Sequence, residues 1–326
     1  MKRFLLIAIA LIFFLTIGFA WIVFGPATGK TGTVRIPRNS NMLQVQQGLK
    51  DSLALRNAWF FETLAGWMRY KDVRPVRFTI EKGSSLFEVI KGLKRHARQT
   101  VDVVVLPGHD RRQLARQLSR QLAITAAEMD SCLQDSAFLA AFDVTPRNFQ
   151  RIVLPNTYNV YYAADARDLF RQFSQYAKDY WVAKDLSPKQ ADSTLILASI
   201  VEKETIRSEE KARISGVYLN RLKKGMKLQA DPTVNFAIDA WRALSFEDLK
   251  FESPYNTYLY AGLPPGPICI PGPASVKAVL EPEKHAYLYF VAKGDGSGFH
   301  RFAADFNGHL ANIRLRKQEL AAGANP

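Results

Sequence analysis

The feature that most constrains this chain is its start. From Phe4 to Phe24 there is no charged residue, and Leu, Ile, Phe and Ala dominate. A helix that crosses a bilayer needs about 20 such residues. Lys2 and Arg3 precede the run, and positive flanks stay on the cytoplasmic side. Trp21 sits near the far end, where an interfacial aromatic is favoured. The expectation is a single-pass anchor in the cytoplasmic (inner) membrane, with the rest of the chain outside the cytoplasm. The competing reading is a cleaved signal peptide, which Ala20, Ala27 and Thr28 allow. Signal peptides carry shorter apolar regions, about 7–15 residues, so length favours the retained anchor. No second apolar run of this length follows.

The remaining chain, out of 326 residues in all, is long enough for two modest domains or one large one. The net charge is +14. A basic chain often meets nucleic acid, but the anchor puts this one on the wrong side of the membrane. Other polyanions and anionic lipid head groups are the better partners there. Basic residues cluster between Lys91 and Arg120, and Arg112, Arg116 and Arg120 are spaced to line one helical face. A solvated basic face explains the same spacing. The two cysteines, Cys132 and Cys269, form no CxxC or Cys/His cluster. A structural zinc is therefore not expected, and no cofactor is. Whether these two cysteines pair is left open.

Gly25, Pro26, Gly29 and Gly32 interrupt regular structure after the anchor. An internal repeat follows. Residues 36–49 line up with residues 80–93, with Ile, Ser, Val, Gly and Leu at matching places. Each copy reads as strand, turn, then amphipathic helix. Asn39 and Gly83 suit the turns; Ser40 and Ser84 suit helix N-caps. A third unit begins at Val103, passes through Gly108 and continues as a helix from Arg111 to Leu122. Such units are similar to LysM-type folds, although generic βα units fit as well. Residues 110–190 read as mostly helical, interrupted by a loop or short strand over Leu154 to Tyr158.

The strongest signal begins at Ser193. Leu195 to Val201 is apolar on every side, as in a helix buried all round. It runs straight into Glu202, Lys203 and Glu204. Burying an unpaired carboxylate is costly, and burial raises a carboxyl pKa into the range a general acid needs. Glu204 shares its face with Leu197, Ile200 and Val201, whereas Glu202 lies over Ala198 and Ser199. The more apolar face favours Glu204 as the protonated acid. Two solvated glutamates at a helix end remain the simpler alternative.

Further on, Asp231 followed by Pro232 forms a good N-cap and first-turn pair, so capping is its expected job. Gln229 is placed to offer an amide to a ligand. Tyr255 to Tyr258 and Gly262 to Gly266 form a stiff loop whose aromatic and amide side chains suit sugar binding. Tyr287 to Ala292 and Phe299 to Phe302 flank a Gly-rich stretch and read as a β-hairpin. Those glycines match no phosphate-binding loop. His300 on the hairpin is more simply structural than catalytic.

The segments Leu197–Glu204, Val217–Arg221, Leu228–Val234, Tyr255–Tyr258, Gly262–Ile268 and Tyr287–Val291 closely resemble, in order, the endolytic murein transglycosylases of the MltG/YceG-like family. The likeness is strong from about Ser193 to His309 and weaker over 30–190, where that family carries a LysM-like portion. It implies that Glu204 is catalytic. It also implies that Gln229 and Asn256 line a cleft, with Tyr158, Tyr255 and Glu202 as further substrate contacts. One departure is Pro155-Asn156-Thr157-Tyr158, where the family usually has an aspartate. A second acid at Asn156 is thereby put in doubt.

The expected fold class is α+β: a transmembrane helix over 1–25, small LysM-like βα units over 26–102, and a mixed helix/strand catalytic domain over 103–326. The implied reaction cleaves the MurNAc–GlcNAc bond of nascent peptidoglycan and leaves 1,6-anhydro ends. Partners implied are glycan strands and, by association, peptidoglycan synthases at the membrane. A hydrolytic muramidase and a non-enzymatic wall-binding scaffold are the rival readings.

Overall fold

A computed structural model describes residues 2–97 and 99–323. Met1 and Pro326, the outer bounds of the expected spans, lie outside the described residues. The chain divides into two compact units. The first comprises Met1–Val103, Leu118–Thr125 and Asn159–Ala166; the second comprises Val104–Gln117, Ala126–Tyr158 and Arg167–Pro326.

The first unit contains α1 (Lys2–Phe24), β1 (Gly32–Ile36), α2 (Met42–Leu53), α3 (Phe61–Trp67), β2 (Val76–Ile80) and α4 (Leu86–His96). Helix α1 has 23 residues, about 34 Å of rise. Its apolar side chains from Phe4 to Phe19 are exposed, while Val23 is buried in the unit's core. It is long and apolar enough to cross a membrane.

The repeat explains the rest of this unit. β1 and β2, the strands of its two copies, pair antiparallel with Gly32 opposite Ile80 and Ile36 opposite Val76. Alternation along them buries Val34, Ile36, Val76, Phe78 and Ile80. The helices of the two copies add Val45, Leu49 and Leu53 from α2 and Leu86, Val89, Ile90 and Leu93 from α4. The two copies therefore share one core.

Asn39 and Gly83 do take left-handed turns, with φ of 60° and 86°. The caps fall one residue later than expected. Asn41 and Ser85, not Ser40 and Ser84, close capping boxes with Gln44 and Glu88. The segment after α1 is irregular but not loose. Ala27 N–H donates to Ser84 O, Gly29 N–H donates to Leu53 O, and Ala27 is fully buried.

The chain passes between units within β3 (Thr100–Val105), α5 (Arg111–Gln121) and β4 (Asn156–Tyr161), and again after Thr125 and after Ala166; β3 pairs with β4. The second unit continues with α6 (Ala126–Cys132), α7 (Ser136–Ala140), α8 (Ala166–Val182), α9 (Pro188–Glu204), α10 (Ser208–Lys223), α11 (Asp231–Ala237), α12 (Pro273–Leu280), β5 (Tyr289–Ala292), β6 (His300–Ala303) and α13 (Phe306–Gly323). Helices interrupted by β4 occupy 110–190, as expected. β5 and β6 form the expected hairpin, with Gly296 and Gly298 at positive φ in its turn.

α9 is the axis of this unit. Ser187 caps it in a box with Gln190, and Pro188 occupies its first turn. Leu195 and the run from Leu197 to Val201 are buried. Leu197, Ile200 and Val201 pack with Ile214 and Tyr218 of α10 and with Leu228 and Ile268. Cys132 and Cys269 form no disulfide.

Candidate active site

A helix buried all round from Leu197 to Val201 ends on a carboxylate. Glu204 is the last residue of α9, and Thr205 leaves it in an extended conformation. Two consequences follow. The negative end of the helix dipole works against ionisation there. So does the protein packed around the side chain, although Glu204 keeps part of its surface. Desolvation is the largest cause, and the carboxyl is pushed up from 4.5 to about 7.

The neighbours refine that value. The Tyr218 hydroxyl donates to Glu204 Oε1 at 2.5 Å, which favours the carboxylate. The charge of Asp231 disfavours it, and Arg221 favours it. Tyr218 is itself buried, and both burial and Glu204 drive its own pKa well above normal. It is therefore a donor that never ionises in working conditions. With Oε1 held by Tyr218, Oε2 is the oxygen left to carry and deliver a proton.

The raised pKa also has a consequence for folding. The folded chain keeps this proton to about pH 7, whereas an exposed carboxyl releases it near 4.5. The contribution of Glu204 to stability is complete below the lower value. It declines as pH rises between the two.

Glu202, two residues earlier, does different work. Its Oε2 lies 2.8 Å from Lys211 Nζ and 3.2 Å from Gly272 N–H, and it accepts from Ser275 Oγ. Lys211 also donates to Ser275 at 2.8 Å. The Lys211 side chain is 8% exposed and that of Glu202 15%, so the pair is nearly dry. This network joins α9, α10 and α12, and it takes Glu202 away from substrate.

Asp231 is a correction. Ala230 is the N-cap of α11, and Asp231 makes no cap hydrogen bond. Thr257 Oγ1 accepts from Ala230 N–H and Thr233 Oγ1 donates to Ala230 O, so that terminus is already served. Asp231 instead accepts from the Tyr258 hydroxyl at 2.6 Å, close enough to Glu204 for its charge to be felt.

Asn256 is buried, and its amide is spent inside the loop. Nδ2 donates to Leu249 O and Phe251 O, while Oδ1 accepts from Tyr258 N–H. The stiff loop is held by this residue, which leaves no group free to line a cleft. Tyr158 is likewise buried; its hydroxyl donates to Leu154 O and its ring meets Phe173 and Tyr176. Neither Asn256 nor Tyr158 is presented to a ligand. Tyr255 is half-buried against Phe236. Gln229 is exposed at a positive φ of 48°, and its backbone N–H is tied to Thr257 O. Its amide is available to a ligand. His300 is engaged by Glu210, at 2.8 Å through Nδ1 and again through its backbone N–H. That makes it structural.

Spacing alone did not reveal Tyr218, Tyr258 or Lys211. Tyr218 lies 14 positions beyond Glu204 on the next helix. Only the packing of α10 against the end of α9 brings them together. Lys203, between the two glutamates, stacks over Trp241 at 4.3 Å. Trp241 lines a cavity of about 210 Å³ with Asp110, Arg112 and Phe236. Among the described residues no His/Cys/Asp/Glu group is arranged to hold a metal.

Comparisons with known proteins agree with this architecture. An endolytic murein transglycosylase of Bacillus subtilis is 26% identical over 287 residues, covering 82% of this chain and 80% of that protein. One from Streptococcus pneumoniae serotype 2 is 24% identical over 302 residues, but the match spans only 54% of that longer relative. A crystal structure of a YceG-like protein from Listeria monocytogenes superposes with a TM-score of 0.58 at 24% identity, over 86% of this chain and 98% of the other, a likeness of fold. The YceG-like family model matches residues 34–315, nearly the whole chain beyond α1, and the chain belongs to that family.

Proposed function

We propose that this chain is a membrane-anchored endolytic lytic transglycosylase of peptidoglycan, with Glu204 as its acid and base. The reading is carried by the Glu204 carboxyl, half-buried at the end of α9, held on one oxygen by Tyr218 and pushed up by desolvation to about 7. Such a group is protonated at mildly acidic to neutral pH and is a competent base once it has given its proton away. The names of the relatives supply the substrate class.

Glu204 gives its proton to the oxygen linking N-acetylmuramic acid to N-acetylglucosamine. Positive charge develops at the muramic C1. The carboxylate then takes the proton of the muramic C6 hydroxyl, whose oxygen closes on C1. One C–O bond breaks, one forms, and no water is consumed. A single carboxylate suffices, whereas ordinary glycosidases need two. Exposed Gln229 and the ring of Trp241 are the groups we assign to sugar contact.

In this reading residues 1–25 anchor the chain in the cytoplasmic membrane, 26–102 form a LysM-like glycan-holding region and 103–326 catalyse. Support for the middle assignment is the closure of both repeat copies on one core. The exposed apolar surface of α1 supports the anchor. Cutting strands as they emerge would then help to end glycan elongation, beside the synthases that make them.

Digestion of purified peptidoglycan followed by mass spectrometry tests the chemistry. The expected products end in 1,6-anhydro-muramic acid. Hydrated reducing ends alone would show a muramidase, with Asp231 as the second carboxylate.

A second expectation concerns pH. Cleavage falls as pH rises through about 7, because the acid loses its proton. Asp231→Asn removes a repelling charge, so the fall moves to lower pH. Tyr218→Phe removes the donor that favours the carboxylate, so the fall moves to higher pH. pH–rate profiles of the two variants read these opposite shifts; profiles that stay with the wild type would dissociate Glu204 from the titration.

A further inference from the structure

Beyond the catalytic unit, the first unit carries an unexplained pairing of exposed aromatics and unneutralised cations. Trp59 and Trp67 are 69% and 62% exposed, a costly arrangement in water for the largest apolar side chains. They are not scattered. Phe60 lies 5.3 Å from Trp59 and 5.5 Å from Trp67, and both Phe60 and Trp67 lie 5.9 Å from Phe19 of α1. Phe19 is five residues short of the end of α1, about 7.5 Å along the axis. A 23-residue helix outruns a hydrocarbon core of about 30 Å by several ångströms. With the helix centred in the core, Phe19 lies about 5 Å inside the hydrocarbon edge, so these rings fall just below the level where head groups begin, near the depth that tryptophan favours.

The cations follow directly. Past Trp67 the chain turns at Arg69, and a concave pocket of about 480 Å³ is lined by Arg69, Tyr70, Lys71, Asp72, Arg74 and Lys94. Lys94 is fixed over this turn by donating to Met68 O at 2.6 Å. None of Arg69, Lys71, Arg74 or Lys94 has a carboxylate within ion-pair distance among the described residues, and Asp72 is the one acid in the lining. Tyr70 is 4% exposed, and its hydroxyl has no hydrogen-bond partner among the described residues. The pocket thus carries a surplus of positive charge beside an aromatic face that continues the lipid-facing surface of α1.

We propose that this end of the first unit is a membrane-seating surface, with Trp59, Phe60 and Trp67 in the interfacial layer and the pocket of Arg69, Lys71, Arg74 and Lys94 holding the phosphate of an anionic phospholipid. Lipid is the source chosen because the aromatic face touches the membrane helix itself, and because anionic head groups lie at that depth. The proposal rests on reading α1 as a membrane span. Its consequence is that the first unit is seated on the bilayer rather than hung from it on a flexible tether.

Native mass spectrometry of the full chain in detergent, titrated with phosphatidylglycerol or phosphatidylcholine, tests the pocket. The wild type retains one phosphatidylglycerol and releases phosphatidylcholine. The double variant Arg69→Glu/Arg74→Glu, at two exposed positions, retains about tenfold less phosphatidylglycerol. In nanodiscs, lipids brominated near the glycerol backbone quench tryptophan fluorescence, and the quenching falls in Trp59→Phe/Trp67→Phe. Equal retention by the charge-reversed variant, equal retention of phosphatidylcholine, or unchanged quenching overturns the proposal. So does displacement of the lipid by inorganic phosphate at matching concentration, which marks a free-phosphate site. Alkaline extraction of membranes reads the anchor separately. A chain released by alkali refutes the span, whereas one that stays inserted but holds no phosphatidylglycerol refutes the pocket alone.

Discussion

Replacing Glu204 by Gln is expected to lower the rate of glycan cleavage by about a thousandfold, the usual worth of a positioned general acid. The substitution is chosen for what it leaves intact. Gln has the same shape, and its Oε1 still accepts the Tyr218 hydroxyl that now lies 2.5 Å from Glu204. Gln is neutral at every pH and costs far less to bury than a carboxylate, so α9 and its packing against α10 are expected to survive. What disappears is the proton and the base that its departure creates. Turnover of purified peptidoglycan by the full-length variant, with circular dichroism to show the fold, is the measurement. Cleavage at the wild-type rate by a folded variant sinks the assignment. No cleavage by the wild type on any glycan offered favours a wall-binding scaffold instead.

The second large effect concerns stability. Lys211→Met is expected to destabilise the second unit by about 3–5 kcal/mol, the cost of stranding one partner of a buried ion pair. Glu202 would keep only Gly272 N–H and Ser275 Oγ, in surroundings where both side chains are nearly dry. In a unit of this size the shift corresponds to roughly 10 °C in melting temperature. The double variant Lys211→Met/Glu202→Gln removes the stranded charge and recovers more than half of the loss. Thermal denaturation of the four proteins in that cycle measures the coupling. An additive pair of effects would show that the two residues do not act together. Set beside Glu204→Gln, the cycle separates the neighbouring glutamates: changes at Glu202 are expected to act on stability, changes at Glu204 on rate.

Much of the site was legible because helical burial has a sequence pattern. The uninterrupted apolar run from Leu195 to Val201 announced a helix with no solvent face, and a carboxylate at the end of such a helix has little choice but to be perturbed. The repeat announced its strands and helices for a similar reason, since turns that need positive φ favour Asn39 and Gly83. The hairpin turn advertised itself through its glycines.

Other readings failed where a local rule met a distant partner. Asp231-Pro232 has the composition of a helix start, yet Thr257, 26 positions away from Asp231, already serves that end, and Asp231 turns to Tyr258. Asn256 is an amide on a rigid loop, and it is rigid because its own amide ties the loop together. Tyr158 belongs to a segment shared with the family, but the aromatic cluster of α8 claims its ring. Capping shifted by one residue because the left-handed turn ahead of it takes up a position that a cap rule does not count.

The sequence by itself determined the apolar N-terminal helix, the paired repeat, the buried helix α9 and the identity of the residue at its tip. These depend on neighbours within a few positions, where periodicity and propensity act. Only the tertiary structure decided what each carboxylate faces. α10 returns Tyr218 to Glu204 and sends Lys211 to Glu202, so two glutamates two residues apart meet a tyrosine hydroxyl in one case and a nearly dry ion pair in the other. Ionisation is set by the groups within a few ångströms in space, and those come from segments that the chain visits far apart.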